Sequence, residues 1–130
     1  NGYLNWLDVW HNNIKMGLST WAEISDLSTT RSDCHAWGSS PNIEFFRTVL
    51  GIDSDAPGFQ KIKVAPNLGN LTNVSGSIPH PDGKVITSYQ LKGHHWNISV
   101  TIPPSTSGIL VWGGKTYPLT KETTHLRLIK

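Results

Sequence analysis

Residues 84–102 read KVITSYQLKGHHWNISVTI, which is two runs of alternating side chains separated by Gly93 and a histidine pair. Apolar or β-branched side chains occupy every second position of both runs, and polar side chains fill most positions between them. A period of two places one set of side chains on each side of an extended strand. The stretch therefore predicts two β-strands, each with one buried face.

The same alternation recurs along the second half of the chain, for example over residues 61–64. Pro81-Asp82-Gly83-Lys84 and Gly113-Gly114 are typical hairpin turns, and Pro103-Pro104 ends a strand. Strands at roughly ten-residue spacing with turn residues between them are typical of an antiparallel sandwich. Residues 55–130 are therefore predicted to form an antiparallel β-sandwich.

The first part of the chain has a helical pattern instead. Apolar side chains recur at i, i+4, i+7 and i+11 in Tyr3, Leu7, Trp10 and Ile14. Gly17 supplies a stop for this helix, and a second helix is predicted from Ser40-Pro41 to Gly51. Turn-forming residues follow at 53–58. The predicted fold class is α+β, with helices in residues 1–54 and the sandwich in residues 55–130.

The first helix starts almost at Asn1, and there is no initiator methionine before it. A helix this apolar needs packing partners on two sides. We therefore expect the chain to be the C-terminal part of a larger protein, cut inside a helical region. Separated from that protein, its helices are expected to expose apolar faces, and residues 1–50 are expected either to self-associate through these faces or to fray.

Composition excludes several classes of protein. The 130 residues make about one average domain, of which 37% are hydrophobic and 15% charged. No apolar run is long enough for a membrane span, and a net charge of +2 does not indicate a nucleic-acid partner. Cys34 is the single cysteine, and no nucleotide-binding or zinc-protease motif occurs. We therefore expect no cofactor and no metal.

The chemistry-bearing residues cluster between residues 18 and 37, where the chain reads LSTWAE at 18–23 and RSDCHAW at 31–37. Indole faces stack on sugar rings, and polar neighbours bind the hydroxyl groups. Glu23 is a candidate general base, which requires a second carboxyl group across the scissile bond. The alternative interpretation is structural: Trp21 and Trp37 lie in the core, and Glu23 either acts as a cap or pairs with Arg31.

These strings, together with Ser40-Pro41, resemble the C-terminal end of bacterial α-L-rhamnosidases of glycoside hydrolase family 78. The resemblance covers essentially the whole chain. It implies the last helices of an (α/α)6 catalytic barrel, followed by a C-terminal β-sandwich. It also implies an inverting glycosidase that uses two carboxyl groups and a water molecule.

The resemblance assigns roles to individual residues. Residues 19–23 align without gaps with the family pattern Thr-Thr-x-Trp-Glu, which places Glu23 at the general base, although the tryptophan stands one position earlier here. His35 matches a sugar-contacting histidine, and Trp37 is expected to be a pocket wall. The predicted substrate-binding set is completed by Trp21, Arg31 and Asp33. The family's general acid lies upstream of this chain.

The predicted function is that of a C-terminal fragment of an enzyme releasing terminal α-L-rhamnose from glycans or glycosides. Its partners are then a rhamnose-containing substrate and the remainder of its own barrel, and the fragment alone is expected to be inactive. The alternative is a free-standing carbohydrate-binding or interaction sandwich with a helical extension. Whether the parent is cytoplasmic or exported depends on its N-terminus.

Overall fold

The computed structural model describes residues 2–24, 26, 28–29, 31–32, 34–120 and 122–130, and for residues 2–6 the backbone alone. The chain divides into two compact units, Asn1–Ile43 and Glu44–Lys130. The first unit contains most of the helical structure and the second all the described strands. Within the described residues, no helix is long and apolar enough to cross a membrane.

Helix α1 spans Gly2–Lys15. It ends as the sequence predicts, because Gly17 adopts a positive φ of 73° after the last turn. The amide of Gly17 donates to the carbonyl of Ile14 at 3.0 Å, and the amide of Leu18 donates to that of Asn13 at 3.0 Å. This pair of bonds satisfies carbonyls that the helix end would otherwise leave unpaired.

The second predicted helix is split. A 3₁₀ turn covers Ala36–Ser39 and α2 covers Pro41–Glu44, so the proline stands at the first helical position. A π-helical turn, Phe45–Val49, follows, in which the amide of Leu50 donates to the carbonyl of Phe45 at 3.0 Å. The sequence predicts one α-helix up to Gly51, whereas the last turn is wider, with hydrogen bonds over five residues.

The second unit contains eight strands and a short 3₁₀ turn at Pro57–Phe59. The strands are β1 Ile52–Ser54, β2 Lys61–Val64, β3 Asn73–His80, β4 Gly83–Lys92, β5 His95–Thr101, β6 Ser107–Trp112, β7 Lys115–Leu119 and β8 Thr123–Ile129. They form two four-stranded sheets in the orders β1-β2-β6-β7 and β3-β4-β5-β8. Both predicted hairpins are present, β3–β4 and β6–β7.

The fold class is confirmed: helices are followed by a sandwich whose strand pairs are antiparallel with one exception. Strand β2 pairs with β6 in parallel, with Lys61 opposite Ser107. A parallel pair needs a long crossover connection, and here that connection contains the whole of β3, β4 and β5. The alternating pattern of β2 predicts its buried face, but it does not specify the direction of its neighbour.

Apolar side chains from both sheets form the core of the sandwich. The fully buried members are Ile52, Ile62, Val64, Val85, Tyr89, Val100, Ile102, Leu110 and Leu119. All the positions that the alternation places inside β5, together with the neighbouring Ile102, are buried. This agreement follows from the two-residue period, because a shift by one residue would expose the whole apolar set.

Along the chain, the boundary between the two compact units falls between Ile43 and Glu44, upstream of the predicted boundary at 54/55. Strand β1 lies before that boundary and pairs with β2, so Ile52–Ser54 is part of a sandwich sheet. Where the catalytic part ends and the C-terminal domain begins in an intact enzyme stays a prediction.

Candidate functional site

Two short chain segments of the first unit lie side by side and form the frame of the site. The amide of Glu23 donates to the carbonyl of Ser32 at 2.8 Å, and the amide of His35 donates to that of Trp21 at 2.8 Å. These two backbone bonds bring the LSTWAE and RSDCHAW strings together. The clustering that the sequence suggests is therefore a real proximity in space.

The carboxylate of Glu23 forms an ion pair with Arg31, whose Nη2 lies 2.5 Å from Oε1. The Glu23 side chain is 7% exposed, whereas that of Arg31 is 84% exposed. The hydrogen bond from Arg31 and the positive charges of Arg31 and His35 lower the pKa of Glu23. Glu23 is therefore ionised at neutral pH, which is the protonation state that a general base requires.

Trp37 joins Glu23 to the aromatic surface of the site. Its indole Nε1 donates to the main-chain oxygen of Glu23 at 3.0 Å. Its ring lies against the imidazole of His35, with 4.2 Å between the centroids and 40° between the planes. Because 61% of Trp37 is exposed, this indole offers a free apolar face beside a carboxylate.

Trp21 is directed elsewhere. Its ring packs on Trp10 of α1, with 4.7 Å between the centroids. The backbone around it is tightly packed, since a Cβ added to Gly38 would lie 2.6 Å from the oxygen of Ala22 and 3.0 Å from the Cβ of Trp21. This half-buried indole thus packs between α1 and the loop.

A pocket of about 190 Å³ lies beside these two chain segments. Its lining consists of Val9, Trp10, Asn13, Ala22, Glu23, Ile24, Trp37, Gly38, Ser40 and Pro41. Asn13 is 4% exposed, and its Oδ1 has no hydrogen-bond partner among the described residues. The sequence pattern did not predict Asn13 and Trp10 as lining residues, although their i, i+3 spacing on α1 places both on one helix face.

The structure brings four of the six predicted site residues together: Glu23, Arg31, His35 and Trp37. Trp21 contacts the same loop but faces α1. Asp33 lies outside the described residues, so its predicted role has no structural counterpart here. Arg31 binds Glu23 itself, as the structural alternative proposed. The assignment of these residues to a sugar site stays a prediction.

No group of three or more His, Cys, Asp or Glu side chains in the described part of the chain is arranged to hold a metal ion. Cys34 is exposed and has a free thiol. The pocket is thus lined by the ionised Glu23 and by Trp37, and the imidazole of His35 packs against the Trp37 indole.

Comparison with known families gives a match over residues 51–127, to the model described as bacterial alpha-L-rhamnosidase C-terminal domain. An alpha-L-rhamnosidase of Alteromonas sp. (strain LOR) is 34% identical over 68 residues, which are 52% of this chain and 7% of that protein. The chain thus spans only a small part of this relative's length.

Solved structures show the same fold at low identity. An α-L-rhamnosidase from Aspergillus terreus superposes with a TM-score of 0.79 at 21% identity, covering 93% of this chain and 16% of that one. One from Dictyoglumus thermophilum gives 0.72 at 15% identity, with 92% and 17% covered. One from Streptomyces avermitilis, complexed with L-rhamnose, gives 0.65 at 20% identity, with 78% and 11% covered.

Proposed function

Because this chain belongs to the bacterial α-L-rhamnosidase C-terminal domain family, we propose that it is the C-terminal part of a glycoside hydrolase that releases terminal α-L-rhamnose from glycans or glycosides. The observation that carries the proposal is Glu23, an ionised carboxylate that lines a pocket beside the exposed indole of Trp37. In this proposal the helical residues that precede β1 complete the catalytic barrel, and the sandwich that begins with β1 forms the C-terminal domain.

The proposed reaction inverts the configuration of the sugar. One carboxyl group protonates the departing oxygen while a carboxylate about 6.5–9.5 Å away activates a water molecule on the opposite face. Glu23 is the sole carboxylate among the described residues that line the pocket. We assign it to the base, and we assign the general acid to the remainder of the barrel, outside this chain.

Arg31 has a defined part in this proposal. Its hydrogen bond to Oε1 keeps Glu23 deprotonated, so that the carboxylate is ready to accept a proton from water. By lowering the pKa of Glu23, the same bond also lowers its basicity, whereas efficient general bases have a pKa near the working pH. Arg31 thus favours the ionised form of Glu23 at a cost in proton affinity.

His35 and Trp37 form the wall on which the sugar is expected to rest. Their rings are in contact, and Trp37 presents its exposed face beside Glu23. An indole face suits the apolar side of a pyranose ring, and an imidazole nitrogen can donate to or accept from a hydroxyl group. Both residues therefore position the substrate, whereas Glu23 acts on the water molecule.

The experiment that tests the proposal is Glu23→Gln in the full-length enzyme that contains this chain, assayed on an aryl α-L-rhamnoside. The amide cannot accept a proton from water, so kcat should fall by at least about 10³-fold with a much smaller change in KM. The matched control is Glu122→Gln, an exposed glutamate of the second unit, which should keep wild-type kinetics. Near-native turnover of Glu23→Gln would remove Glu23 from the base position.

The 130-residue chain by itself should be inactive on the same substrate. General-acid assistance contributes about 10²–10⁴ in rate, and substrate positioning contributes more. Both come from the remainder of the barrel in this proposal. Hydrolysis by the purified chain, abolished by Glu23→Gln, would show that the complete machinery is present here and would overturn the assignment of the general acid.

A further inference from the structure

The sheet β3-β4-β5-β8 has an outward side that the proposed function does not use. Alternation and register align its outward side chains in rows across the four strands. One row is Ser75, Ser88, Ser99 and His125; the next is Asn73, Gln90, Asn97 and Arg127. We call the outward side chains of these strands the polar sheet face.

A pocket of about 350 Å³ lies on the polar sheet face. Six polar residues from three neighbouring strands line it, together with Ile98 and Leu126: Ser88, Gln90, Asn97, Ser99, His125 and Arg127. Strands lie about 4.8 Å apart, and alternate residues of one strand lie about 7 Å apart. Two rows across three strands therefore give a footprint of about 7 by 10 Å, which fits one or two sugar rings.

The six polar side chains of this pocket have free hydrogen-bonding capacity. Within the described residues, none of them has a side-chain hydrogen-bond partner, in contrast to the nearby Thr101 and Thr123, whose hydroxyl groups lie 3.0 Å apart. Together they offer two carboxamides, two hydroxyl groups, an imidazole and a guanidinium. A surface that carries these groups can form hydrogen bonds with several neighbouring hydroxyl groups and an ion pair with one anionic group at the same time.

The charge on the polar sheet face has one sign. Lys84, Lys92 and Arg127 are outward residues of these strands, and His95 and His125 add two titratable groups. None of the outward positions of the four strands is occupied by Asp or Glu. The guanidinium of Arg127 is thus free to pair with a ligand carboxylate or sulfate, a geometry that arginine favours.

We propose that the polar sheet face binds an acidic oligosaccharide, with its anionic group on Arg127 and its hydroxyl groups on the carboxamides of Gln90 and Asn97. A protein partner fits less well, because protein interfaces have an apolar centre and only Pro79, Ile86 and Ile129 are apolar outward residues here. A nucleic acid also fits less well, because no outward position of these strands carries Trp, Tyr or Phe, whose larger rings stack most strongly on bases.

All residues of this pocket belong to the second unit, and binding there requires no catalysis at Glu23. The pocket would hold an acidic glycan chain without cleaving it, and this proposal does not depend on the proposed rhamnosidase function. Binding by hydrogen bonds and one or two ion pairs, without a Trp, Tyr or Phe ring for stacking, is weak and salt-dependent. We expect dissociation constants in the millimolar range that rise when salt is added.

The test is a titration of the ¹⁵N-labelled 130-residue chain with a galacturonic acid trisaccharide, followed by backbone amide shifts. The amides that shift should be those of residues 88–90, 97–99 and 125–127. A galactose trisaccharide of equal size but without carboxylates should bind at least about fivefold more weakly. Equal affinity for the two trisaccharides, or shifts confined to other residues, would overturn the proposal.

Variants separate the role of charge from folding. Arg127→Ala should weaken binding of the acidic trisaccharide at least about fivefold, and Asn97→Asp should weaken it because a carboxylate repels the ligand. Lys115→Ala, an exposed lysine on β7 of the other sheet, is the matched control and should bind as the wild type does. Unchanged binding by Arg127→Ala, or tighter binding of an oligothymidylate to the same amides, would refute the proposed ligand.

Discussion

The indole Nε1 of Trp37 donates a hydrogen bond to the main-chain oxygen of Glu23 at 3.0 Å, across 14 residues of sequence. The bond ties the exposed aromatic surface of the first unit to the backbone of the proposed base. Trp37 has two parts in the proposed site: its face is the sugar wall, and its nitrogen holds the main chain of Glu23.

Trp37→Phe separates these two parts in the full-length enzyme. Phenylalanine keeps an aromatic face but has no donor, so kcat should fall about 3- to 10-fold, equivalent to about 1 kcal/mol, with KM nearly unchanged. Trp37→Ala should in addition raise KM, since the stacking face is lost. The measurement is steady-state kinetics on an aryl α-L-rhamnoside. A wild-type kcat in Trp37→Phe would show that the hydrogen bond from Trp37 to the main chain of Glu23 is not needed for turnover.

Arg31→Gln should change the pH dependence of the same enzyme. Arg31 lowers the pKa of Glu23, so its removal should let that pKa rise toward the ordinary glutamate value of about 4.3. A protonated Glu23 cannot act as a base, so the acidic limb of the kcat/KM profile should move to higher pH. The profile is measured between about pH 3 and pH 7, across that ordinary value.

The control for this shift is Arg47→Gln, which removes a comparable ion pair in the second unit. Arg47 Nη2 lies 2.9 Å from Asp53 Oδ2, and this pair lowers the pKa of Asp53. Its loss should leave the acidic limb where it is. An Arg31→Gln profile that stays in place, or that moves to lower pH, would contradict the role assigned to Arg31.

Gly51→Ala should strongly destabilise the sandwich. Gly51 has a φ of 75°, and a Cβ there would lie 2.2 Å from the carbonyl carbon of Ala65. Gly113→Ala is the matched control, because its φ of 55° is also positive and nothing lies within 4 Å of the added Cβ. We expect Gly113→Ala to lower the free energy of unfolding by about 1–2 kcal/mol and Gly51→Ala to lower it by at least about 3 kcal/mol.

Urea unfolding of the 130-residue chain measures both changes, with the slope checked for a constant value. If Gly51→Ala does not fold, circular dichroism in buffer shows this directly while Gly113→Ala remains folded. Equal losses for the two variants would mean that the backbone near Ala65 moves aside without cost.

Self-association of the 130-residue chain is the last expectation. Leu7 is 37% and Ile14 69% exposed on α1, while Trp10 packs on Trp21; the Tyr3 side chain lies outside the described part. Light scattering over a concentration series should show a mass that rises with concentration. Ile14→Lys should reduce that rise, whereas Ile129→Lys on β8 should not. A strictly monomeric wild-type chain would contradict the expectation.

Local patterns were sufficient for helix α1 and for the core positions of β4 and β5, but not for β1, whose residues Asp53 and Ser54 were predicted as part of a turn. The period of two predicted which side of β4 and β5 is buried, and Gly17 predicted the end of α1. Both signals depend only on residues close together in sequence, so they can be recognised without knowing which other segments pack against them. The π-helical turn at Phe45–Val49 was missed, because an apolar stripe does not distinguish hydrogen bonds over four residues from bonds over five.

The candidate site was predicted in part. The two strings suggested that Glu23, His35 and Trp37 lie together, and the backbone bonds place them so. Whether Glu23 pairs with Arg31 stayed an open alternative, since side-chain directions in an irregular loop follow no period. Asn13 was missed, because a single asparagine on a helix gives no signal until its burial is known.

Alternating side chains were enough to predict the main strands and their buried faces, because a strand has only two sides and apolar side chains are more stable on the side that faces away from water. Together with the helical pattern of the first part of the chain, they also predicted the α+β class. The turn residues predicted the β3–β4 and β6–β7 hairpins, whereas the pairing of strands distant in sequence was decided by the tertiary structure. The parallel contact of β2 with β6, and the pairing that brings Ser99 next to His125, link residues far apart in sequence. Such contacts depend on how the two sheets pack together around one core, and a local hydrophobic pattern does not specify that packing.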